Sequence, residues 1–236
     1  MRLSGTMTST WTPKQLKPES SLTALSSLQG IHLADHPAAF CRWKRAMDIG
    51  GALIGLGLTA LIFPIVALAI YLEDPGPILY SQVRCGLKGR SFAIWKFRSM
   101  VVNADQLQHL VTNQAQGNMF KNRCDPRVTK VGAFLRKTSL DEFPQFWNVL
   151  RGEMSLVGTR PPTVGEVLQY RRHHWERLRV KPGITGEWQI NGRSSVSDFE
   201  EVVALDISYQ RKWSILYDIL VVIKTLGVIF NRSGAY

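Results

Sequence analysis

Residues Ile49 to Leu72 read IGGALIGLGLTALIFPIVALAIYL, a run with no charge and a single proline, Pro64. At about 1.5 Å per residue, a helix of this length can cross a bilayer. Pro64 removes the backbone donor that would bond the carbonyl of Ala60, and its ring crowds that turn. Basic residues flank the run on both sides. Arg42, Lys44 and Arg45 precede it, and the 164 residues after it carry 23 Lys/Arg against 15 Asp/Glu. Cations on both flanks predict that both ends face the cytoplasm. A reentrant helix that enters the membrane, bends near Pro64 and leaves on the same face satisfies both observations. A spanning helix with a proline kink is the alternative, since membrane helices tolerate proline.

The chain has 236 residues, room for one domain of about 150 to 190 residues with an anchor and a tail. A net charge of +11 suits phosphorylated small molecules, anionic lipid or nucleic acid. The apolar run shifts that balance toward lipid and phosphate and against nucleic acid. Cys41, Cys85 and Cys124 are odd in number and far apart, which predicts free thiols in a reducing compartment. Residues 1–39 hold Pro13, Pro18, Pro37 and eleven Ser/Thr before Gly30, without the apolar core of a signal peptide. They are expected to form a disordered extension. Residues 40–74 are assigned to the reentrant helix and its flank, where Trp43 and its basic neighbours suit the headgroup zone. Residues 75–236 form the remaining domain.

Within that domain, Ile78–Arg84 and Ser91–Phe97 are β-prone runs around a loop with two glycines, which predicts a hairpin. Helices are expected over Met100–Gln116, Pro144–Arg151, Thr163–Arg179, Asp198–Lys212 and Ile215–Phe230. Pro144 at the start of the second and Gly152 just past its end fit the usual asymmetry. Val128–Leu135 is a short mixed segment, and Pro182–Arg193 is Gly-rich and irregular. The expected fold class is α+β, mainly helical: a reentrant membrane helix followed by a small cytoplasmic domain with a β-hairpin.

Three adjacent acidic pairs occur: Glu73-Asp74, Asp141-Glu142 and Glu200-Glu201. The first lies in a helix-ending turn and the last in a long helix, so both are expected to be solvated. Asp141-Glu142 follows Arg136, Lys137, Thr138 and Ser139 at a helix start. Ser139-Leu140-Asp141-Glu142 also matches a capping box. The functional alternative is that the helix terminus and nearby cations hold a carboxylate ionised for attack on phosphorus, while its neighbour binds a divalent metal. Further arginines sit in constrained turns suited to phosphate, as in Gly158-Thr159-Arg160-Pro161-Pro162. The chain has no G-x-x-x-x-G-K-[ST] loop, no G-x-G-x-x-G after a strand and no D-x-D pair.

Taken in order, these segments resemble the bacterial sugar transferases that use polyprenol phosphate, the monotopic phosphoglycosyl transferases. The C-terminal third is most similar to the members that initiate exopolysaccharide synthesis. The resemblance is carried by Lys44-Arg45-x-x-Asp48, Pro75-Gly76-Pro77, Lys96-Phe97-Arg98-Ser99-Met100 and Asp125-Pro126-Arg127-Val128-Thr129. It continues through Leu135 to Gln145, Gly152 to Gly158, Lys181 to Gly186, Trp188 to Arg193, and Asp206-x-x-Tyr209. It covers residues 41 to 236. Two positions depart from the pattern: Thr159 stands where the family has Pro before Arg160, and Cys85 replaces an aliphatic residue before Gly86.

The resemblance implies a monotopic enzyme on the cytoplasmic face of the bacterial inner membrane. Such an enzyme moves a sugar 1-phosphate from a UDP-sugar to a polyprenol phosphate, undecaprenyl phosphate being the expected one. It releases UMP and passes through a phosphosugar–aspartate intermediate. The resemblance assigns the nucleophile to Asp141, Mg2+ to Glu142 together with Asp141, and phosphate contact to Arg136. Lys96, Arg98, Arg127, Arg160, Gln189, Arg193 and Asp206 are the expected substrate-binding residues. Inner-membrane lipid and other polysaccharide-assembly enzymes are the expected partners, and nucleic acid is not. Two alternatives remain at this stage: a conventional membrane-associated glycosyltransferase that releases UDP, and a non-catalytic assembly scaffold.

Overall fold

The apolar run lies inside one helix, α2 (Arg42–Glu73), preceded by a single helical turn, α1 (Pro37–Phe40). A computed structural model describes residues 33–115, 117, 122, 124–191, 196 and 198–230. α2 continues without interruption through Pro64, which lies on its exposed side. Its buried residues are Lys44, Asp48, Ala52, Gly55, Thr59, Val66 and Ile70, a spacing that marks one helical face. The rest of the chain covers this face from end to end. Lys44 Nζ meets Asp218 at 2.6 Å and donates to the Val157 carbonyl at 2.9 Å. Asp48 accepts from the Ser155 hydroxyl at 2.8 Å and from the Leu156 N–H at 2.9 Å. Gly55 lies so close to Phe146 that a Cβ would come within 2.4 Å of the ring. Val66 and Ile70 pack with Phe97 and Leu135, and Glu73 accepts from the N–H groups of Lys130 and Val131.

The opposite face of α2 presents Leu53, Ile54, Leu58, Leu61, Ile65, Leu68 and Leu72, all 48% to 75% exposed. Transfer of each side chain from water to hydrocarbon is favourable by about 1.5–3 kcal/mol, so this face favours lipid over water. α2 is the one helix among the described residues long and apolar enough to cross a membrane.

The predicted hairpin forms from β1 (Leu79–Cys85) and β2 (Ser91–Phe97), with Leu79 opposite Phe97 and Cys85 opposite Ser91. Lys88 and Gly89 take positive φ in the turn. The outer edge of β2 is completed by a side chain. Asn148 accepts from the Trp95 N–H at 3.1 Å and donates to the Ala93 carbonyl at 2.7 Å, and it is fully buried. Two short helices follow, α3 (Lys130–Lys137) and α4 (Gln145–Arg151). Thr129 caps α3, and Gly152 at φ 81° ends α4. Arg45 then donates to the last carbonyls of α4, those of Val149 and Leu150, at 2.7 Å each. A cation at that pole is favoured by the helix dipole.

The chain continues through β3 (Ser155–Val157), α5 (Val164–Val167), β4 (Gly183–Thr185), α6 (Glu187–Ile190), α7 (Phe199–Lys212) and α8 (Ile215–Phe230). β3 and β4 pair in parallel, so Pro182–Arg193 is more regular than expected. Two predicted helices fail. Residues 102–107 form turns that lead into a 3-10 turn, Gln108–Leu110, in place of a helix over Met100–Gln116. There Arg127 takes the Ala104 carbonyl and Asp74 takes the Val102 N–H, so backbone groups are spent on side chains. Thr163–Arg179 splits into α5 and a 3-10 segment, Arg172–Arg179, because Arg171 is extended and its N–H donates to His174 Nδ1.

Two readings of the N-terminal region also change. Residues 1–32 lie outside the described residues, but the extension does not run to residue 39. Leu33 is buried against Cys85, Val164 and Trp175, and Arg179 donates to the Ala34 carbonyl. Lys44 and Arg45, expected near headgroups, bind the domain instead, because Asp218 and the end of α4 offer them better partners than water. Trp43 remains 79% exposed.

Candidate active site

Asp141 and Glu142 lie on a 3-10 turn, Leu140–Glu142, that joins α3 to α4. Ser139 before it has φ 57° and makes no capping bond through its side chain, so the capping-box reading fails. The pair precedes α4 instead of occupying its first turn. Leu140 and Phe143 on either side pack into the cluster of Val66, Ile70, Phe97 and Leu135. The Phe143 carbonyl lies 3.4 Å from the Thr59 hydroxyl of α2. The acidic pair is thereby set one residue from the membrane helix.

Lys96 reaches the pair from the end of β2. Its Nζ lies 2.9 Å from Glu142 Oε1 and 3.9 Å from Asp141 Oδ2. Asp141 is buried, whereas Glu142 and Lys96 keep partial access to solvent. Arg136, in the last turn of α3, donates from Nε to the Ser99 hydroxyl at 2.9 Å. Gly132 makes this approach possible, since a Cβ there would meet the Ser99 carbonyl at 2.0 Å. Two hard carboxylates side by side suit Mg2+, which prefers oxygen donors and keeps several waters for substrate exchange.

The other expected substrate contacts are placed differently. Arg98 is held by Asp74, through its carbonyl and its carboxylate. Arg127 forms a two-point pair with Asp125 at 2.9 and 2.7 Å. Arg160 pairs with Glu166 at 2.9 and 3.2 Å. Asp206 is fully buried against Arg177, and Gln189 donates to the Ile184 carbonyl. Arg193 lies outside the described residues. Of this set, the structure brings Lys96 to the acidic pair. Sequence reasoning missed Ser99, which steers Arg136, and Asn148, which fixes the strand carrying Lys96. Both sit inside or beside the quoted motifs, but neither carries the charge that drew attention there.

A second group with metal-ligand chemistry is His173, His174 and Glu200, whose ligand atoms lie within 4.8 Å of one another. His174 Nδ1 accepts the Arg171 N–H, so in the neutral ring Nε2 carries the proton and donates to Glu200 at 2.9 Å. Burial lowers the His174 pKa, against the hydrogen bond it donates to Glu200. That tautomer leaves no lone pair of His174 for a metal. The group is a clasp between the 3-10 segment and α7.

Fold and site together define a helix-anchored α+β domain with a cation-flanked acidic pair. The chain belongs to the bacterial sugar transferase family, whose model matches residues 39–232. It is 52% identical over 197 residues to a galactosyl transferase, CpsE, of Streptococcus agalactiae serotype III, covering 81% of this chain and 43% of that protein. It is 45% identical over 226 residues to the UDP-glucose:undecaprenyl-phosphate glucose-1-phosphate transferase of Escherichia coli K12, covering 92% and 47%. It is 39% identical over 199 residues to the exopolysaccharide production protein ExoY of Sinorhizobium fredii, covering 82% and 88%. The chain thus spans less than half of the first two relatives and most of the third.

Proposed function

We propose that this chain transfers a sugar 1-phosphate from a UDP-sugar to a polyprenol phosphate in two steps that share Asp141. In the first, a carboxylate oxygen of Asp141 bonds to the sugar-bearing phosphorus. The bond from that phosphorus to the bridging oxygen breaks, and UMP leaves with the electron pair. In the second, an oxygen of polyprenol phosphate attacks the same phosphorus, and Asp141 returns as a carboxylate. Lys96 and Arg136 offset the charge on the phosphoryl oxygens, which otherwise repels both attacking anions. Glu142 with Asp141 would hold Mg2+, which supplies further charge neutralisation when bound.

The observation that carries this reading is the acidic pair bridged by Lys96, one residue from contact with α2. A donor from solution and an acceptor carried in lipid can meet there. Both ends of α2 bind the same domain, at Lys44 and Asp48 on one side and Glu73 on the other. We therefore place both on the cytoplasmic face of the inner membrane, in a monotopic arrangement. Cysteine labelling at positions near 40 and near 76, in a background without native cysteines, should mark both as cytoplasmic; an outside label at the second would refute the placement.

The deciding assay supplies the purified protein with Mg2+, polyprenol phosphate and either UDP-glucose or UDP-galactose, since the relatives are named for both sugars. UMP release is expected. UDP release would identify a conventional glycosyltransferase, and no turnover with any donor would favour a scaffold.

A further inference from the structure

Four buried or half-buried arginines of this domain have carboxylate partners, whereas Arg84 on β1, like Arg45 on α2, is held by neutral oxygens. Arg98 has Asp74, Arg127 has Asp125, Arg160 has Glu166 and Arg177 has Asp206. Arg84 is half-buried and forms no ion pair among the described residues. Its Nε donates to Gln82 Oε1 at 2.9 Å and its Nη1 to the Pro161 carbonyl at 3.0 Å. Its Nη2 has no hydrogen-bond partner among the described residues. Two neutral oxygens thus fix the guanidinium without neutralising it. Burial, then the neighbouring Arg160, pushes the Arg84 pKa down to about 10, while Glu166 and Glu142 act in the opposite sense. The carboxylates of this neighbourhood are already paired with other cations, Glu166 with Arg160, Asp206 with Arg177 and Glu142 with Lys96.

Position supplies the second half of the argument. Tyr80 stands opposite Lys96, and Arg84 lies four residues further along the same strand. Alternation puts Tyr80, Gln82 and Arg84 on one face of the hairpin together with Lys96. This face runs from the acidic pair to Arg84, and the charges of Glu142 and Arg84 sense each other across it. An occupant reaching from one to the other must be an extended anion with charge at two points. The hairpin also has a membrane end and a far end. Phe97 packs on Val66 and Ile70 of α2, whereas Cys85, next to Arg84, packs with Leu33, Val164, Val167, Trp175 and Leu178, and Phe92, opposite Arg84, packs on the cluster of Ala52, Val149 and Met154. A lipid phosphate arrives at the membrane end; the nucleotide of a soluble donor has the other.

We propose that Arg84 binds the nucleotide-side phosphate of the UDP-sugar and retains UMP after the sugar phosphate has moved to Asp141. This rests on the transferase reading above and adds a residue to it. Arg160, one of the expected substrate-binding residues, is already occupied by Glu166, whereas Arg84 has no carboxylate partner among the described residues.

The test uses full-length protein in detergent or nanodiscs, with UMP as the probe. Equilibrium binding of UMP, its inhibition constant, and KM for the UDP-sugar and for polyprenol phosphate are measured for wild type, Arg84→Gln and Arg84→Lys. Loss of one charged contact predicts that Arg84→Gln weakens UMP binding and raises the UDP-sugar KM by about tenfold or more. KM for polyprenol phosphate should stay within about twofold, and Arg84→Lys should recover part of the loss. A purely structural role would lower the unfolding temperature without separating the two KM values. If Arg84→Gln proves unstable, Arg84→Lys carries the same comparison. Unchanged UMP binding in an active variant overturns the assignment and leaves the transferase reading intact. A raised KM for polyprenol phosphate alone also overturns it, by moving the contact to the lipid. If wild type turns over without releasing UMP, the reaction itself is wrong, and this proposal falls with it.

Discussion

The turn at Asp141-Glu142 and the core around Arg177 are both dense in charge, but they are built on opposite terms. Around Arg177 the charges are paired at short range and sealed from solvent, although Asp206 Oδ1 has no hydrogen-bond partner among the described residues. Its Nη2 lies 2.6 Å from Asp206, both side chains have no solvent exposure, and Nη1 donates to the Tyr170 hydroxyl at 2.7 Å. At the turn, one lysine divides itself between two carboxylates and remains 28% exposed. Burying a charge costs several kcal/mol unless its partners are complete, so the closed network specifies a structure and resists additions. The turn sets two carboxylates beside Lys96 and keeps access to solvent. Under the proposed function it admits Mg2+ and the phosphate that comes with it.

The largest expected effect that separates the two regions is at Asp141. Asp141→Asn keeps the shape of the side chain and should lower turnover by at least about a thousandfold, while the protein stays folded and membrane-bound. Activity within tenfold of wild type, at matched protein levels, would place the nucleophile elsewhere. Asp206→Asn should show the reverse pattern. It leaves Arg177 buried without its counter-charge and should cost about 3–5 kcal/mol of stability in urea unfolding, with turnover per folded molecule little changed. A drop in turnover at full stability would instead return Asp206 to the substrate. Asn148→Ala sits between the two regions: it exposes the edge of β2 and should cost about 1–3 kcal/mol, with a raised donor KM as Lys96 loses its position. The smallest effect is a pH dependence. Burial lowers the pKa of His174 and of His36 below the ordinary value of 6.5, so the unfolded chain binds protons first. Their contribution to stability is complete above about 6.5 and is lost as pH falls toward the folded values. A melting-temperature profile that is flat from pH 7 to pH 5 would contradict this, and His174→Asn should shallow the slope.

Local signals were enough for the parts of this molecule that depend on local physics. The uncharged run showed the membrane helix, alternation and a glycine turn showed the hairpin, and Pro144 with Gly152 bounded α4. The acidic pair was visible because it broke a basic stretch. What escaped depends on residues distant in sequence. Residues 100–116 carry a helical pattern, but Asp74 and Arg127 take their backbone groups. Arg177 fell inside the expected helix over Thr163–Arg179 with nothing local to mark its partner, Asp206, which lies 29 residues away. Arg98 and Arg127 sit in motifs shared with the family, and here their guanidinium groups are engaged within the protein. Arg84 drew no notice for the opposite reason: its distinction is a missing carboxylate, which only the folded arrangement reveals.

The two ends of α2 also act as splints for the helices on either side of the acidic turn. Glu73 holds the first N–H groups of α3, and Arg45 holds the last carbonyls of α4. Trimming the apolar helix to obtain a soluble fragment would remove both clamps along with the anchor. The fragment would keep Asp141, Glu142 and Lys96 in its sequence but lose the frame that sets their spacing. Chemistry and address are then written into the same helix. Under the proposed function, a copy that has not docked this helix against its domain would lack both the frame of the acidic turn and access to the lipid-borne acceptor.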